Sequence, residues 1–234
     1  MQIIPIKALS DNYIWLIQKK DQVIVVDPSQ ADELLDFFAK NDLNPTAILL
    51  TYNHADHVGG VVKLVEHYPN LPIYGSKEVS QFANHIMVDQ QEFECLGSQT
   101  KVIKTAGHTA EHISYLIDNK HLFCGDSLFS AGCGRVFTGD YNAQFDTLQR
   151  LGQLADDVKI YPAHEYTQSN LEFVKVVMPN NQAVQYYTQQ VAELRCQDKI
   201  TLPSTMGLEK QVNPFLMAKS LAEFIELRKK KDCF

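Results

Sequence analysis

Short apolar runs broken by polar turns fill the first half of the chain, and longer helical periods fill the last third. Residues 1–7, 12–18 and 22–27 are rich in Ile, Val and aromatic side chains and are separated by Leu9-Ser10-Asp11 and by the polar stretch 19–21, which predicts an opening antiparallel meander. Ala31, Leu34, Leu35 and Phe38 then fall at i, i+3, i+4 and i+7, the spacing of one buried helix face. Asn44-Pro45 closes that element ahead of the apolar run 47–50. Val61, Leu64 and Val65 share a face of a second helix, which Pro69 stops before a strand-like stretch at 71–74. Residues 101–104, 112–117 and 121–124 read as further strands, each beside a polar, glycine-containing or histidine-containing turn.

The character changes near residue 167. Leu171, Val174 and Met178 mark one helix, Val184, Tyr187, Val191 and Leu194 another, and residues 220–231 a third. The pattern therefore predicts an α/β body over residues 1–165 and a helical C-terminal appendage over 166–234, with no internal repeat or low-complexity segment.

Composition narrows the classes. A chain of 234 residues with 45% apolar content can bury a sizeable core, which excludes disorder for most of its length. The formal charge of −7 leaves no electrostatic footprint for nucleic acid, and the one basic run is Arg228, Lys229, Lys230 and Lys231. No stretch approaches the ~18 apolar residues of a membrane span, and residues 1–5 lack the charged start of a secretion signal, so a cytoplasmic protein is expected. Five cysteines without a C-x-x-C pair fit neither a disulfide framework nor a cysteine zinc site. Cys124 and Cys133 read as small buried thiols, without a catalytic role.

The chemistry concentrates in residues 51–60, where His54, Asp56 and His57 place three potential metal ligands within four positions, between an apolar strand and a glycine pair that opens a helix. Further ligand types stand where strands end: His108 in Ala106-Gly107-His108-Thr109, Asp126 in Cys124-Gly125-Asp126-Ser127, and His164 in Pro162-Ala163-His164-Glu165. A lone histidine in a turn is ordinarily a solvated or hydrogen-bonded residue. Jointly these six are hard to obtain from surface composition, and a mixed imidazole and carboxylate set suits Zn²⁺, Fe²⁺ or Mn²⁺.

Their order resembles the metallo-β-lactamase superfamily, whose loop H-x-H-x-D-H is followed by a His, a bridging Asp and a final His. Within it the chain resembles glyoxalase II, the hydroxyacylglutathione hydrolases. The likeness extends through Asn12-Tyr13-Ile14-Trp15, Val26-Asp27-Pro28, Gly107-His108-Thr109, the segment from Leu122 to Phe129, Gly132-Cys133-Gly134-Arg135, His164-Glu165-Tyr166-Thr167, Asn213-Pro214-Phe215-Leu216 and the basic C-terminus. It implies an αββα sandwich with a helical C-terminal domain. It also implies two divalent metals, zinc with iron or manganese as alternatives: one on His54, His108 and Asp126, the other on Asp56, His57, Asp126 and His164. Asp56 and Asp126 are then the catalytic carboxylates, Asp126 bridging, while Asp27 and His112 match positions that orient ligands or serve the fold.

One position departs from the pattern, because Tyr52 stands where the family loop begins with a metal-binding His. The readings left open are a phenolate ligand, a weakly held first metal, and a single-metal site at Asp56, His57, Asp126 and His164.

The resemblance implies hydrolysis of S-lactoylglutathione to lactate and glutathione, in methylglyoxal detoxification. Two cations ~3.5–4 Å apart lower the pKa of a shared water toward ~7 and so supply a hydroxide nucleophile. A thiol leaving group of pKa ~8.5 departs with little help from an acid. Recognition of the anionic glutathione falls by resemblance to Arg135, Tyr166, Arg228 and Lys231, with Phe137 where a Tyr hydroxyl is often found. A monomer without nucleic-acid or membrane partners is expected. The alternatives are a persulfide dioxygenase-like enzyme and a degenerate protein that binds glutathione conjugates without turnover, the latter raised by Tyr52.

Overall fold

The predicted meander forms β1 (Gln2–Ala8), β2 (Asn12–Lys19) and β3 (Gln22–Val26), paired antiparallel with Ile4 opposite Leu16 and Leu16 opposite Val25. The structure is a computed structural model that describes residues 1–234, and it divides into two units, Met1–Lys104 with Glu111–Asp118 and Thr105–Ala110 with Asn119–Phe234.

In the first unit, α1 (Asp32–Asn41) carries the chain from β3 to β4 (Asn44–Leu49), which lies parallel to β3. Asn44 and Pro45 thus begin a strand, where the sequence pattern placed a break. A register shift between Val23 and Ile24 falls opposite the proline, which has no N–H to give the ladder. After α2 (Ala55–Val58) and α3 (Val61–His67), β5 (Ile73–Gly75) and β6 (His85–Ile86) extend the sheet in parallel. Alternate residues Ile14, Leu16, Val23, Val25 and Ile48 bury one sheet face against Leu34 and Phe38 of α1 and Val61 and Leu64 of α3. The antiparallel strands β7 (Glu92–Cys95), β8 (Ser98–Lys104) and β9 (Ile113–Ile117) complete this unit. Because β3 and β4 run parallel, their C-terminal ends share one edge, so Asp27 and the loop from Thr51 are neighbours.

In the second unit β10 (His121–Gly125) leads through the hairpin of β11 (Leu128–Phe129) and β12 (Gly132–Cys133) to α4 (Tyr141–Leu151) and then to β13 (Lys159–Pro162), which pairs parallel with β10. This parallel pair again puts two strand ends side by side, and Asp126 and His164 follow them. The helices α5 (Thr167–Val177) and α6 (Gln182–Cys196) pack Leu171, Val174, Val184, Tyr187 and Val191 into one apolar cluster that includes Val212. Met178 is the cap residue after α5, outside the helix. The short β14 (Ser204–Thr205) pairs with β13, and α7 (Met206–Val212), α8 (Pro214–Met217) and α9 (Leu221–Asp232) finish the unit.

Glu209 of α7 is fully buried, and burial pushes its carboxyl above the ordinary carboxylate range. It accepts from Ser130 Oγ (2.8 Å) and Ala131 N (2.8 Å), while Asn213 Nδ2 donates to Phe129 O (3.1 Å) and Gly132 O (2.9 Å). These bonds fix the turn between β11 and β12, and with it the entry of residues 132–135 into the site.

Candidate metal centre

In the first unit the 51–60 loop is arranged by Asp27. Asp27 follows β3 with φ +49°, a backbone conformation that few residues other than glycine adopt, and its carboxylate is buried. Oδ1 accepts from Thr51 N (2.8 Å), and Oδ2 accepts from Thr51 Oγ1 (2.7 Å) and lies 3.0 Å from His57 Nδ1. An acceptor-only carboxylate makes Nδ1 the proton donor, so the neutral His57 ring carries its lone pair at Nε2. Nε2 lies 3.6 Å from Asp56 Oδ2 and 2.8 Å from the Tyr52 hydroxyl. Asn12, at the start of β2, donates from Nδ2 to Asp56 O (3.2 Å) and to Asp56 Oδ2 (3.3 Å). Buried His112 stacks on the Tyr52 ring at 4.8 Å and 25°, and His54 meets the same ring edge-on at 4.7 Å.

In the second unit two glycines set the geometry. At Gly107, φ +141°, a Cβ would lie 2.3 Å from Gln144 Oε1 and 2.5 Å from Gln144 Cβ, so α4 closes directly on the loop that carries His108. Thr147 Oγ1 of the same helix donates to Ala106 O (2.8 Å). At Gly134 a Cβ would lie 2.0 Å from Asp126 O and 2.9 Å from His108 Nδ1, so the Gly-Cys-Gly-Arg segment rests on the backbone of one ligand and the ring of another. His108 Nδ1 is 2.8 Å from Arg135 O; a carbonyl only accepts, so Nδ1 carries the proton and Nε2 the lone pair.

That lone pair faces Asp126 Oδ2 at 3.7 Å, while His164 Nε2 lies 3.4 Å from Asp126 Oδ1. The His108 lone pair and the Asp126 carboxylate repel at that separation unless a cation stands between them. Bonds of ~2.0–2.2 Å place the ligand atoms of one divalent centre roughly 3–3.6 Å apart, close to these separations, so His108, Asp126 and His164 are a donor set that would hold divalent cations. Both histidines and Asp126 are buried, which strengthens the interaction with a cation.

Beside these ligands of the second unit lies a cavity of about 360 Å³ lined by His108, Asp126, Arg135, Phe137, Tyr166, Arg228 and Lys231, seven residues singled out in the sequence, together with Phe129, Cys133, Gly134, Ser169 and Asn170. Tyr166 stacks on His164 (4.7 Å, 7°) and Phe137 packs edge-on against His108 (5.2 Å).

The two predicted basic residues of α9 differ in kind. Arg228 is buried on the same helix face as Phe224. It donates from Nη1 to Cys133 O (2.9 Å), pairs through Nη2 with Asp232 (2.9 Å) and lies 5.0 Å over the Phe215 ring. These bonds tie its guanidinium to β12 and to α9 where it lines the cavity. Lys231 is half-buried beside the Phe173 and Phe234 rings, and burial, followed by the nearby Arg228 charge, pulls its ammonium below the ordinary lysine value. An anionic ligand would relieve that cost, so Lys231→Ala should raise KM for an anionic substrate about tenfold with kcat nearly unchanged, as steady-state kinetics would read. Arg135 is exposed and only loosely paired with Asp232 (3.4 Å).

Burial pushes the Cys124 and Cys133 thiols up, so neither offers a thiolate nucleophile at neutral pH. The residues missed from the sequence are Asn12 as the holder of Asp56 and the Arg135 carbonyl as the anchor of His108. A polar residue at the head of an otherwise apolar strand was the only available signal for the former.

The metallo-beta-lactamase superfamily model matches residues 9–164, and the model for the hydroxyacylglutathione hydrolase C-terminus matches residues 165–234. The chain is similar to the hydroxyacylglutathione hydrolase of Glaesserella parasuis serovar 5 (strain SH0165), 60% identical over 234 residues and 100% of both chains. It is also similar to that of Haemophilus ducreyi (strain 35000HP / ATCC 700724), 53% identical over 232 residues and 99% of both. Among solved structures, that of ETHE1 from Myxococcus xanthus shares 26% identity at a TM-score of 0.75, over 98% of this chain and 90% of the other. The expected αββα metallo-β-lactamase fold with a helical C-terminal region is thereby borne out, and with it divalent metal binding. On a match that runs the length of the chain and carries both the metal-loop module and the helical C-terminal module, the chain belongs to the hydroxyacylglutathione hydrolase family of the metallo-β-lactamase superfamily.

Proposed function

We propose that the chain hydrolyses S-lactoylglutathione to lactate and glutathione with two divalent cations, zinc being the first choice and iron or manganese the alternatives. The observation that carries the reading is Asp126, whose two carboxylate oxygens each face a different histidine beside a cavity that holds Lys231 and Arg135. One cation would sit on His54, His108 and Asp126, and the other on Asp56, His57, Asp126 and His164. Bound there, divalent cations lower the pKa of water and polarise a carbonyl. The chain does the rest by orientation. Asp27 holds the His57 ring, the Arg135 carbonyl holds the His108 ring, and Asn12 holds the Asp56 carboxylate.

Lys231 and Arg135 meet the carboxylates of glutathione, and Tyr166 and Phe137 give it an aromatic wall. Phe137, 62% exposed, offers no hydroxyl. The glutathione thiolate leaves without a dedicated acid because its pKa lies far below that of an amine or alkoxide. We further assign residues 1–165 and 166–234 to catalytic and substrate-binding modules, and propose a cytoplasmic monomer. No helix is long and apolar enough to cross a membrane.

Incubation with S-lactoylglutathione should release lactate and free thiol in equal amounts without oxygen uptake. Oxygen consumption with glutathione persulfide would move the assignment to a dioxygenase, and binding without product would leave a conjugate-binding protein.

A further inference from the structure

We propose that the Tyr52 hydroxyl is a built-in competitor for the metal position on His57, so that a cation can bind there only by breaking a hydrogen bond within the protein. The proposal rests on the metal-centre reading above. His57 has one lone pair to offer. Asp27 already accepts from both the backbone and the hydroxyl of Thr51, and its Oδ2, 3.0 Å from Nδ1, fixes the ring proton on that nitrogen. The lone pair therefore sits at Nε2, where the Tyr52 phenol, 2.8 Å away, donates into it. A cation on His57 needs the same lone pair. One pair cannot serve both.

The tyrosine has no easy way to withdraw. It is fully buried, stacked on His112 at 4.8 Å, packed against the His54 ring at 4.7 Å and centred 4.2 Å from His57 itself. The sequence position makes Tyr52 look like a substitute ligand for the first cation. The geometry instead places its hydroxyl on a histidine assigned to the second, in the role of a donor. A donor and a ligand have opposite consequences: a competing donor weakens cation binding, and its removal strengthens it.

The test is Tyr52→Phe, which deletes the hydroxyl and keeps the ring stacked on His112. Zn²⁺ affinity and stoichiometry of the full chain are read by titration against a chromophoric chelator, with the thermal midpoint of the cation-free protein recorded beside them to verify folding. A net hydrogen bond of the usual strength corresponds to a roughly three- to tenfold change in affinity, so Tyr52→Phe should bind Zn²⁺ about that much more tightly. The gain should vanish in a His57→Ala background, which locates it on that ring. Weaker binding, or one Zn²⁺ fewer per chain, would make Tyr52 a ligand and overturn the proposal, as would an unchanged affinity. If neither the parent nor Tyr52→Phe takes up Zn²⁺, the metal centre itself is wrong and the proposal falls with it.

Discussion

Replacement of Asp126 by Ala should lower kcat for S-lactoylglutathione by about a thousandfold or more and reduce the metal content of the purified protein. Asp126 is the one residue whose two oxygens face separate histidines, at 3.7 Å from His108 and 3.4 Å from His164. Its removal takes a negative charge from two neighbouring cation positions at once, in a buried setting where each charge contact is strong. The loss of a single preorganised oxyanion donor elsewhere costs about 10²–10³ in rate, and on the proposed assignment the shared carboxylate would hold both of the groups that do that work. Asp126→Asn keeps the shape and one acceptor, so its metal content separates loss of charge from loss of packing. Wild-type turnover by either variant would show that the site does not act through this carboxylate.

The second large effect is on stability, and it comes from a residue that the family resemblance gives to the substrate. Arg228→Ala should lower the thermal midpoint by about 5–10 °C, equivalent to roughly 2–4 kcal/mol for a chain of this size. The substitution leaves the Cys133 carbonyl without its guanidinium donor, removes the nearer of the two charge partners of Asp232 and empties a place over the Phe215 ring. α9 would come loose from β12 and loosen the cavity wall with it. Lys231→Ala provides the contrast: the lysine variant raises KM with little loss of stability, whereas the arginine variant loses stability, and any rise in its KM comes with the loosened wall. An unchanged midpoint with a raised KM would return Arg228 to direct substrate contact.

Where the sequence was readable, the physics was local. The opening meander and α1 follow from period alone, and the three-ligand cluster at His54, Asp56 and His57 stands out because residues of one loop are close in the chain as well as in space. α4 was not visible, for a definite reason. Its buried face is Gln144, Thr147, Leu148 and Leu151, half of it polar, because Gln144 donates to Ser127 O (2.9 Å) and Thr147 to Ala106 O to hold the loops that carry ligands. A helix that serves a site this way does not show the apolar stripe by which helices are recognised. The partners that orient ligands were equally hidden, since Asp27 and His57 lie thirty positions apart and Arg135 acts through a backbone carbonyl, which every residue has. The basic run at 228–231 was visible, but its division into a buried structural arginine and a half-buried lysine depends on which residues share a helix face with Phe224.

Removal and return of the cation decide whether this chain is a cation-dependent thioester hydrolase. The full chain is stripped with a chelator, then reloaded stepwise with Zn²⁺ while free glutathione released from S-lactoylglutathione is followed by a thiol reagent and bound metal is counted by elemental analysis. Turnover should be absent from the stripped protein and should rise with bound cation. Full turnover by the metal-free chain, or none after reloading of a correctly folded protein, would contradict the account.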